Sequence, residues 1–129
     1  MKKTIKVVAA VIRNEKNHIL CALRSEKMSL PNVWEFPGGK IEPGEKPEET
    51  LVREIREELN CEIVVGEFIC RVAHEYPGFI IDLSSFEAII LSGEPEALEH
   101  SKIEWLEIGD LKKLEWAPAD IPTVEKLLI

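Results

Sequence analysis

Residues 39–59 have the sequence GKIEPGEKPEETLVREIREEL, a glycine-containing turn followed by one amphipathic helix. Pro47 suits the start of that helix, because the first helical turn does not use the N–H that proline lacks. The apolar residues that follow recur at helical spacing and form one face: Leu51, Val52, Ile55 and Leu59. Asn60 comes next, and asparagine tolerates the left-handed conformation that ends many helices. The stretch therefore predicts a helix from 47 to about 59.

The same helix carries an acidic face, formed by Glu54, Glu57 and Glu58 at positions i, i+3 and i+4. Like charges at this spacing repel each other, and Glu58 is the acid nearest to the apolar face, where solvation is hardest. A hard cation such as Mg²⁺, which prefers oxygen ligands, would offset the repulsion. The alternative is a solvated helix surface balanced by pairs such as Glu49 with Arg53. The E-x-x-E-E pattern on its own favours this alternative.

The residues around the helix favour the metal site instead. The pattern G-x5-E-x7-R-E-I-x-E-E over residues 39–58, preceded by WEFPG at 34–38, resembles the Nudix hydrolase signature G-x5-E-x7-R-E-U-x-E-E-x-G-U, where U is a bulky aliphatic residue. Every charged position matches, whereas Asn60 replaces the last glycine and Cys61 the last aliphatic residue. The resemblance covers nearly the whole chain, through APADIP at 117–122. Within the Nudix family, the sequence resembles the MutT-like branch, and within that branch the CTP pyrophosphohydrolase type.

This resemblance implies a fold and a reaction. We expect a Nudix fold of the α/β (α+β) class, in which a mixed β-sheet lies between the acidic helix and a C-terminal helix. We also expect Mg²⁺-dependent hydrolysis of nucleoside triphosphates, CTP-like, dCTP-like or oxidised, to the monophosphate and pyrophosphate, with Mn²⁺ able to substitute. The alternatives are hydrolysis of another nucleoside diphosphate-linked compound, a nucleotide sensor without catalysis, and a protein-interaction surface on the acidic face.

The resemblance also implies roles for individual residues. The metal ligands would be the Gly38 carbonyl and four carboxylates: Glu54, Glu57, Glu58 and Glu99. Glu54 is the first candidate for the general base, Glu99 is either an alternative base or a solvated loop acid, and Arg53 would orient the catalytic carboxylate. The substrate-binding candidates are Arg24, Gly39, Lys40, Tyr76, Phe79 and Asp120.

Two of these substrate-binding candidates, Arg24 and Asp120, also have a structural interpretation. Arg24 ends a strand, where its planar fork suits phosphate oxygens, although strand-end arginines often lie on the surface. Asp120 precedes an apolar helical segment and is either a helix N-cap or a residue that reads the base. As a base reader, its carboxylate would accept from the amino group of cytosine or the N–H edge of guanine. Tyr76 or Phe79 could stack on a base, while Phe36 is assigned to the core.

Patterns in the rest of the chain predict the other elements. Apolar, β-branched segments predict strands at 4–12, 18–23, 40–42, 62–75, 79–91 and 103–108. The first two are separated by a polar turn and predict a hairpin, and 25–33 is expected to be a loop. One helical turn is expected at 109–113 and a second helix at 120–128. Strands before, between and after helices indicate a mixed sheet with helices packed on it.

Composition limits the classes of function. A chain of 129 residues with a formal net charge of −8 fits one domain, 1–129, and disfavours nucleic-acid binding through a basic surface. No apolar run approaches the ~20 residues of a membrane span, and no signal peptide is expected. The three cysteines lack C-x-x-C spacing, so we expect reduced thiols and a cytoplasmic location. The expected partner is a small nucleotide, and the expected state is a monomer or homodimer.

Overall fold

The computed structural model describes residues 2–129, and a seven-stranded mixed sheet runs through it. The strands are β1 (Lys3–Arg13), β2 (Ile19–Leu23), β3 (Trp34–Glu35), β4 (Gly38–Lys40), β5 (Glu62–Tyr76), β6 (Phe79–Ser92) and β7 (Lys102–Leu106). The helices are α1 (Pro47–Leu59) and α2 (Ile121–Leu127), with 3₁₀ turns at Ile108–Lys113 and Pro118–Asp120. None of the helices in residues 2–129 is long and apolar enough to cross a membrane.

Strand β1 organises the sheet. It pairs with β6 in parallel along its whole length, from Lys3 opposite Phe79 to Arg13 opposite Ile89. Its other edge pairs antiparallel with β4 and, at Arg13 opposite Ile19, with β2. Strand β2 continues the sheet to β3 and β7, and β6 continues it to β5. The central position of β1 places the glycines of β4 beside the middle of the sheet.

The two faces of the sheet are covered by different helices. Successive side chains of a strand point to opposite faces, so β1 contributes to two cores. The core under α1 contains Val8, Ala10, Ile12, Leu51, Ile55 and Leu59. The core on the opposite face contains Ala9, Val11, Phe36, Trp116 and, from α2, Val124. Burying each of these larger aliphatic side chains contributes about 1.5–3 kcal/mol. The mixed sheet with helices on both faces confirms the expected fold class.

Most elements lie where the sequence predicts them, with small shifts. Helix α1 has the predicted bounds, and Asn60 ends it with φ 55° in the left-handed region. The strand predicted at 40–42 is wrong by two residues, because β4 pairs with Val7–Ala9 through Gly38–Lys40. The two-residue strand β3 was not predicted. The three cysteines are free thiols.

Candidate active site

Two glycines bring the backbone of β4 into direct contact with its neighbours. A β-carbon on Gly38 would overlap the carbonyl oxygen of Val8, which belongs to the paired strand β1. A β-carbon on Gly39 would overlap the carboxyl group of Glu54. Both positions therefore need glycine for close approach, and the backbone of β4 lies against the acidic face of α1.

Arg53 holds the acidic face to the turn before α1. Its Nε and Nη2 donate to the Glu45 carboxylate at 2.7 and 2.9 Å, and its Nη1 donates to Glu54 at 2.8 Å and to Glu57 at 3.4 Å. The hydrogen bond from Arg53 is the main reason why the pKa of Glu45 falls to about 2. The pair of Glu49 with Arg53 considered from the sequence is wrong, because the Glu49 carboxylate instead accepts from the Lys46 N–H at 2.8 Å.

Glu58 is the anomalous member of the acidic face. Its Oε1 atom is buried and has no hydrogen-bond partner in the described residues. Burial, followed by the negative charges of Glu35 and Glu54, raises the pKa of Glu58 to about 9. A buried carboxylate oxygen without a partner is costly, and a divalent cation would satisfy it.

Glu99 lies on the loop that follows β6, and its charge also contributes to the raised pKa of Glu58. The loop is tied to the end of α1, because the Leu98 N–H donates to the Glu58 carbonyl at 3.2 Å. The Glu96 N–H likewise donates to the Leu59 carbonyl at 2.9 Å. The Glu99 side chain itself is exposed.

The donor set, formed by carboxylates and a backbone carbonyl, fits an oxygen-seeking divalent ion. Within residues 2–129, no three His, Cys, Asp or Glu side chains converge as a ready-made ligand group. In this arrangement Arg53 neutralises part of the charge of Glu54 and Glu57. Among the described residues, Glu58 has no counter-ion and lies next to further carboxylates, which is the environment that a cation would stabilise.

A cavity of about 350 Å³ opens beside this face. Glu58, Gly38 and Gly39 line one part of it, and five of the six predicted substrate-binding residues line it: Arg24, Gly39, Tyr76, Phe79 and Asp120. Lys40 is not among its lining residues. The Lys40 side chain is exposed, and its carbonyl accepts from Arg53 at 3.3 Å.

Asp120 is buried and faces this cavity, and its side chain makes no capping hydrogen bond to α2. Asp120 thus occupies the N-cap position expected from the sequence but does not cap the helix with its side chain. Its Oδ1 accepts instead from the Phe36 N–H at 3.4 Å. Burial, followed by the charge of Glu35, raises the pKa of Asp120 well above its ordinary value. A carboxyl group that holds its proton can both donate and accept a hydrogen bond.

Two aromatic rings form the wall next to Asp120. Tyr76 and Phe79 are stacked, with ring centroids 5.2 Å apart and planes 20° from parallel. The Tyr76 hydroxyl accepts from the Ala119 N–H at 3.3 Å, which fixes the ring next to the 3₁₀ turn. Phe36 packs on Trp116 at 4.6 Å, in the core role assigned from the sequence.

Sequence reasoning did not identify Glu35 as a site residue, although it lines the cavity. Arg24 Nη1 donates to Glu35 Oε1 at 2.7 Å, and His100 Nε2 lies 2.8 Å from Glu35 Oε2. Arg24 also donates to the Ser29 and Leu30 carbonyls, so several of its N–H groups are already used. The sequence feature that could have indicated Glu35 is its position as a charged residue between two core aromatic residues, Trp34 and Phe36.

Comparison with known proteins identifies the class. Residues 3–127 match the family model described as NUDIX domain. The CTP pyrophosphohydrolase of Escherichia coli K12 is 39% identical over 126 residues, which cover 98% of this chain and 93% of that protein. The 8-oxo-dGTP diphosphatase of the same strain is 34% identical over 125 residues, 97% of each chain. The chain therefore belongs to the Nudix family of hydrolases.

A solved structure places the chain within that family. The NMR structure of MutT, a Nudix hydrolase of methicillin-resistant Staphylococcus aureus 252, is 51% identical, with a TM-score of 0.80 and coverage of 99% of this chain and 98% of that one. This chain is accordingly a MutT-like Nudix hydrolase, as the signature indicated. Nudix hydrolases generally use divalent metal ions.

Proposed function

We propose that this protein hydrolyses nucleoside triphosphates to the monophosphate and pyrophosphate, with Mg²⁺ as the metal and Mn²⁺ able to replace it. One observation carries the proposal. Glu58, whose buried Oε1 has no hydrogen-bond partner within residues 2–129, lines the same cavity as Asp120 and two stacked aromatic rings. A cation at the acidic face would attract phosphates, and the same cavity has the flat apolar wall and the polar group that suit a base.

The residues that would hold the metal are the Gly38 carbonyl, Glu54, Glu57 and Glu58, with Glu99 from the adjacent loop. Bound Mg²⁺ would neutralise phosphate oxygens and lower the pKa of the attacking water. The negative potential of these carboxylates would otherwise repel the substrate, so a metal-free protein should bind triphosphates weakly.

Glu54 is our first choice for the general base that takes the proton from the attacking water. Arg53 holds one Glu54 oxygen at 2.8 Å, and Gly39 lies against the rest of the carboxyl group, so the side chain is fixed from two sides. We propose attack at the β-phosphorus. The new O–P bond then forms as the bond to the α–β bridging oxygen breaks, and that oxygen leaves with the monophosphate.

The base is proposed to be cytosine or an oxidised guanine. Two relatives are named for CTP and 8-oxo-dGTP, which supports this choice. Asp120 in its protonated form can pair with an edge that has both a donor and an acceptor, and Tyr76 and Phe79 supply an aromatic surface. The three free thiols support a cytoplasmic location, and we propose a monomer or homodimer that binds no nucleic acid stably.

The test is a pyrophosphate-release screen with Mg²⁺ over CTP, dCTP, UTP, GTP, 8-oxo-dGTP and a UDP-sugar. We expect turnover of CTP, dCTP or 8-oxo-dGTP that EDTA abolishes and Mn²⁺ restores. Turnover of the UDP-sugar alone would replace the proposal with hydrolysis of diphosphate-linked compounds. Nucleotide binding by calorimetry without any turnover would indicate a sensor. A thermal melt unchanged by millimolar Mg²⁺ would favour a protein-interaction surface instead.

A further inference from the structure

Glu35 lines the same cavity as the residues proposed to bind the metal and the base. Gly38 and Glu58 line the part of the cavity next to the proposed metal, and Tyr76 and Asp120 line the part proposed for the base. The negative charge of Glu35 acts on both Glu58 and Asp120, because it contributes to the raised pKa of each. Glu35 therefore lies within electrostatic range of both parts.

Two neighbours hold this carboxylate in place. Arg24 Nη1 donates to Glu35 Oε1 at 2.7 Å, and His100 Nε2 approaches Glu35 Oε2 at 2.8 Å. The His100 side chain is fully buried, and its Nδ1 has no partner in the part of the chain that the structure describes. Because an ionised carboxylate only accepts, the His100 ring must donate from Nε2 to Glu35.

The arrangement leaves hydrogen-bonding capacity on Glu35. An ionised carboxylate offers about four lone-pair sites, and Arg24 and His100 occupy one on each oxygen. The side chain is 17% exposed, and this exposure is towards the cavity that it lines. A ligand that placed a hydroxyl group here would find a fixed, charged acceptor.

We propose that Glu35 binds the sugar of the nucleotide by accepting a hydrogen bond from a ribose hydroxyl. The proposal rests on the function proposed above. In a nucleotide the sugar joins the phosphates to the base, so phosphates near Glu58 and a base near Asp120 put the sugar beside Glu35. Sugar hydroxyls can donate, and a hydrogen bond to a charged acceptor changes affinity by about tenfold to a hundredfold. The competing explanation is that Glu35 only anchors Arg24 and the loop after β2.

Substrates that differ only in the sugar separate the two explanations. For CTP, dCTP and 2′,3′-dideoxy-CTP, we expect wild-type kcat/KM to fall about tenfold or more when both hydroxyls are absent. In Glu35→Gln this ratio between CTP and the dideoxy analogue should fall severalfold, because a neutral amide oxygen accepts a weaker hydrogen bond than a carboxylate. An anchor role would instead lower kcat/KM for all three substrates by the same factor. That result, or a wild type indifferent to the dideoxy analogue, would overturn the proposal.

Matched variants control for general damage to the sheet. Glu87 is another half-buried carboxylate held by an arginine, with Arg13 donating to it at 2.7 and 3.1 Å, and it does not line the cavity. Glu87→Gln should leave the sugar ratio unchanged. His100→Leu removes the donor to Glu35 and should reduce the ratio, whereas His100→Gln supplies an amide donor and should largely restore it. If Glu35→Gln fails to fold by circular dichroism, Glu35→Asp carries the same measurement.

Equilibrium binding keeps this proposal separate from the proposed function. Calorimetry with CMP and 2′,3′-dideoxy-CMP in the presence of Mg²⁺ gives the same ratio without turnover. A wild type that binds CMP more tightly than the dideoxy analogue, with the difference reduced in Glu35→Gln, supports sugar binding even if no triphosphate is hydrolysed. Equal affinities in the wild type would overturn sugar binding while leaving hydrolysis intact.

Discussion

Gly39 and Glu54 lie so close together that no β-carbon fits between them. The backbone of β4 thereby limits the position of the acid that we propose as the general base. Arg53 limits it from the other side through the 2.8 Å hydrogen bond to Glu54 Oε1. The two contacts together select one orientation of the Glu54 carboxylate.

Gly39→Ala should lower activity far more than stability. The added methyl group would overlap the end of the Glu54 side chain, which can rotate away at a lower cost in folding free energy than a paired backbone can. A displaced base is expected to lower kcat by about tenfold to a hundredfold. Pyrophosphate release and urea unfolding on the same preparation measure the two effects.

Gly38→Ala provides the contrast. Here the methyl group would meet the carbonyl oxygen of Val8, which is backbone in a paired strand and cannot move alone. We expect a loss of about 2 kcal/mol or more in the free energy of unfolding. Equal stability losses in both glycine variants would contradict the distinction between a side-chain and a backbone contact.

Without metal, the protein should become less stable as the pH rises, because of Glu58. Its pKa is about 9 in the folded protein against an ordinary value of 4.5, so folding favours the protonated form. The stabilisation is complete below about pH 4.5 and is lost as the pH rises through about 9. Glu58→Gln, which cannot ionise, should weaken this dependence, as thermal melts in EDTA between pH 6 and pH 9 would show.

Mg²⁺ should oppose the loss of stability that the metal-free wild type shows as the pH rises. A metal that binds Glu58 must displace its proton, so the apparent Mg²⁺ affinity should rise with pH, and the melting temperature at pH 8 should increase. Glu48→Gln, which removes an exposed acid from the first turn of α1, should behave like the wild type. A pH dependence that Glu58→Gln leaves unchanged would exclude Glu58 as its source.

The fold was predictable wherever local patterns determine it. Helix α1 has the bounds that its apolar spacing, Pro47 and Asn60 indicate, because each of these signals acts within a few residues. Strand β3 was not predicted, since a two-residue strand exists only through its pairing partner: Glu35 lies opposite Ala22 on β2. The register of β4 depends in the same way on β1.

Several of the predicted site residues line one cavity, but the contacts between side chains were not predictable from the sequence. Signature spacing indicates that Arg53 lies among acids, but it does not show that Arg53 binds Glu45 while Glu49 binds the Lys46 N–H. The contact between Glu35 and His100 spans 65 positions and leaves no periodic signal. Only the tertiary fold brings these two side chains together.

Glu54→Gln and Glu99→Gln should differ in the size of their effect. Glu54 is held by Arg53 against β4, whereas the Glu99 side chain is exposed on its loop. We expect Glu54→Gln to lower kcat by about 10² to 10⁴ with the fold retained, and Glu99→Gln to lower it less. Glu94→Gln, an exposed acid of the same loop, is the control for charge alone. A larger kcat loss in Glu99→Gln would transfer the role of base to Glu99.

Asp120→Asn should change base preference with little loss of stability. The amide oxygen can still accept from the Phe36 N–H, and no capping hydrogen bond is lost. Because the pKa of Asp120 is raised, its carboxyl group ionises at a higher pH than an ordinary aspartate. The ionised form only accepts hydrogen bonds, so it should favour CTP, whose base donates from its amino group, over UTP. The ratio of kcat/KM for CTP and UTP, measured from pH 6 to pH 9, should rise in the wild type and stay flat in Asp120→Asn.

Asp82→Asn is the matched control, because Asp82 is similarly buried but is paired with Arg71 at 2.7 Å and does not line the cavity. It should lower stability and leave the ratio unchanged; an Asp120→Asn enzyme with the preference and pH profile of the wild type would remove Asp120 from base recognition.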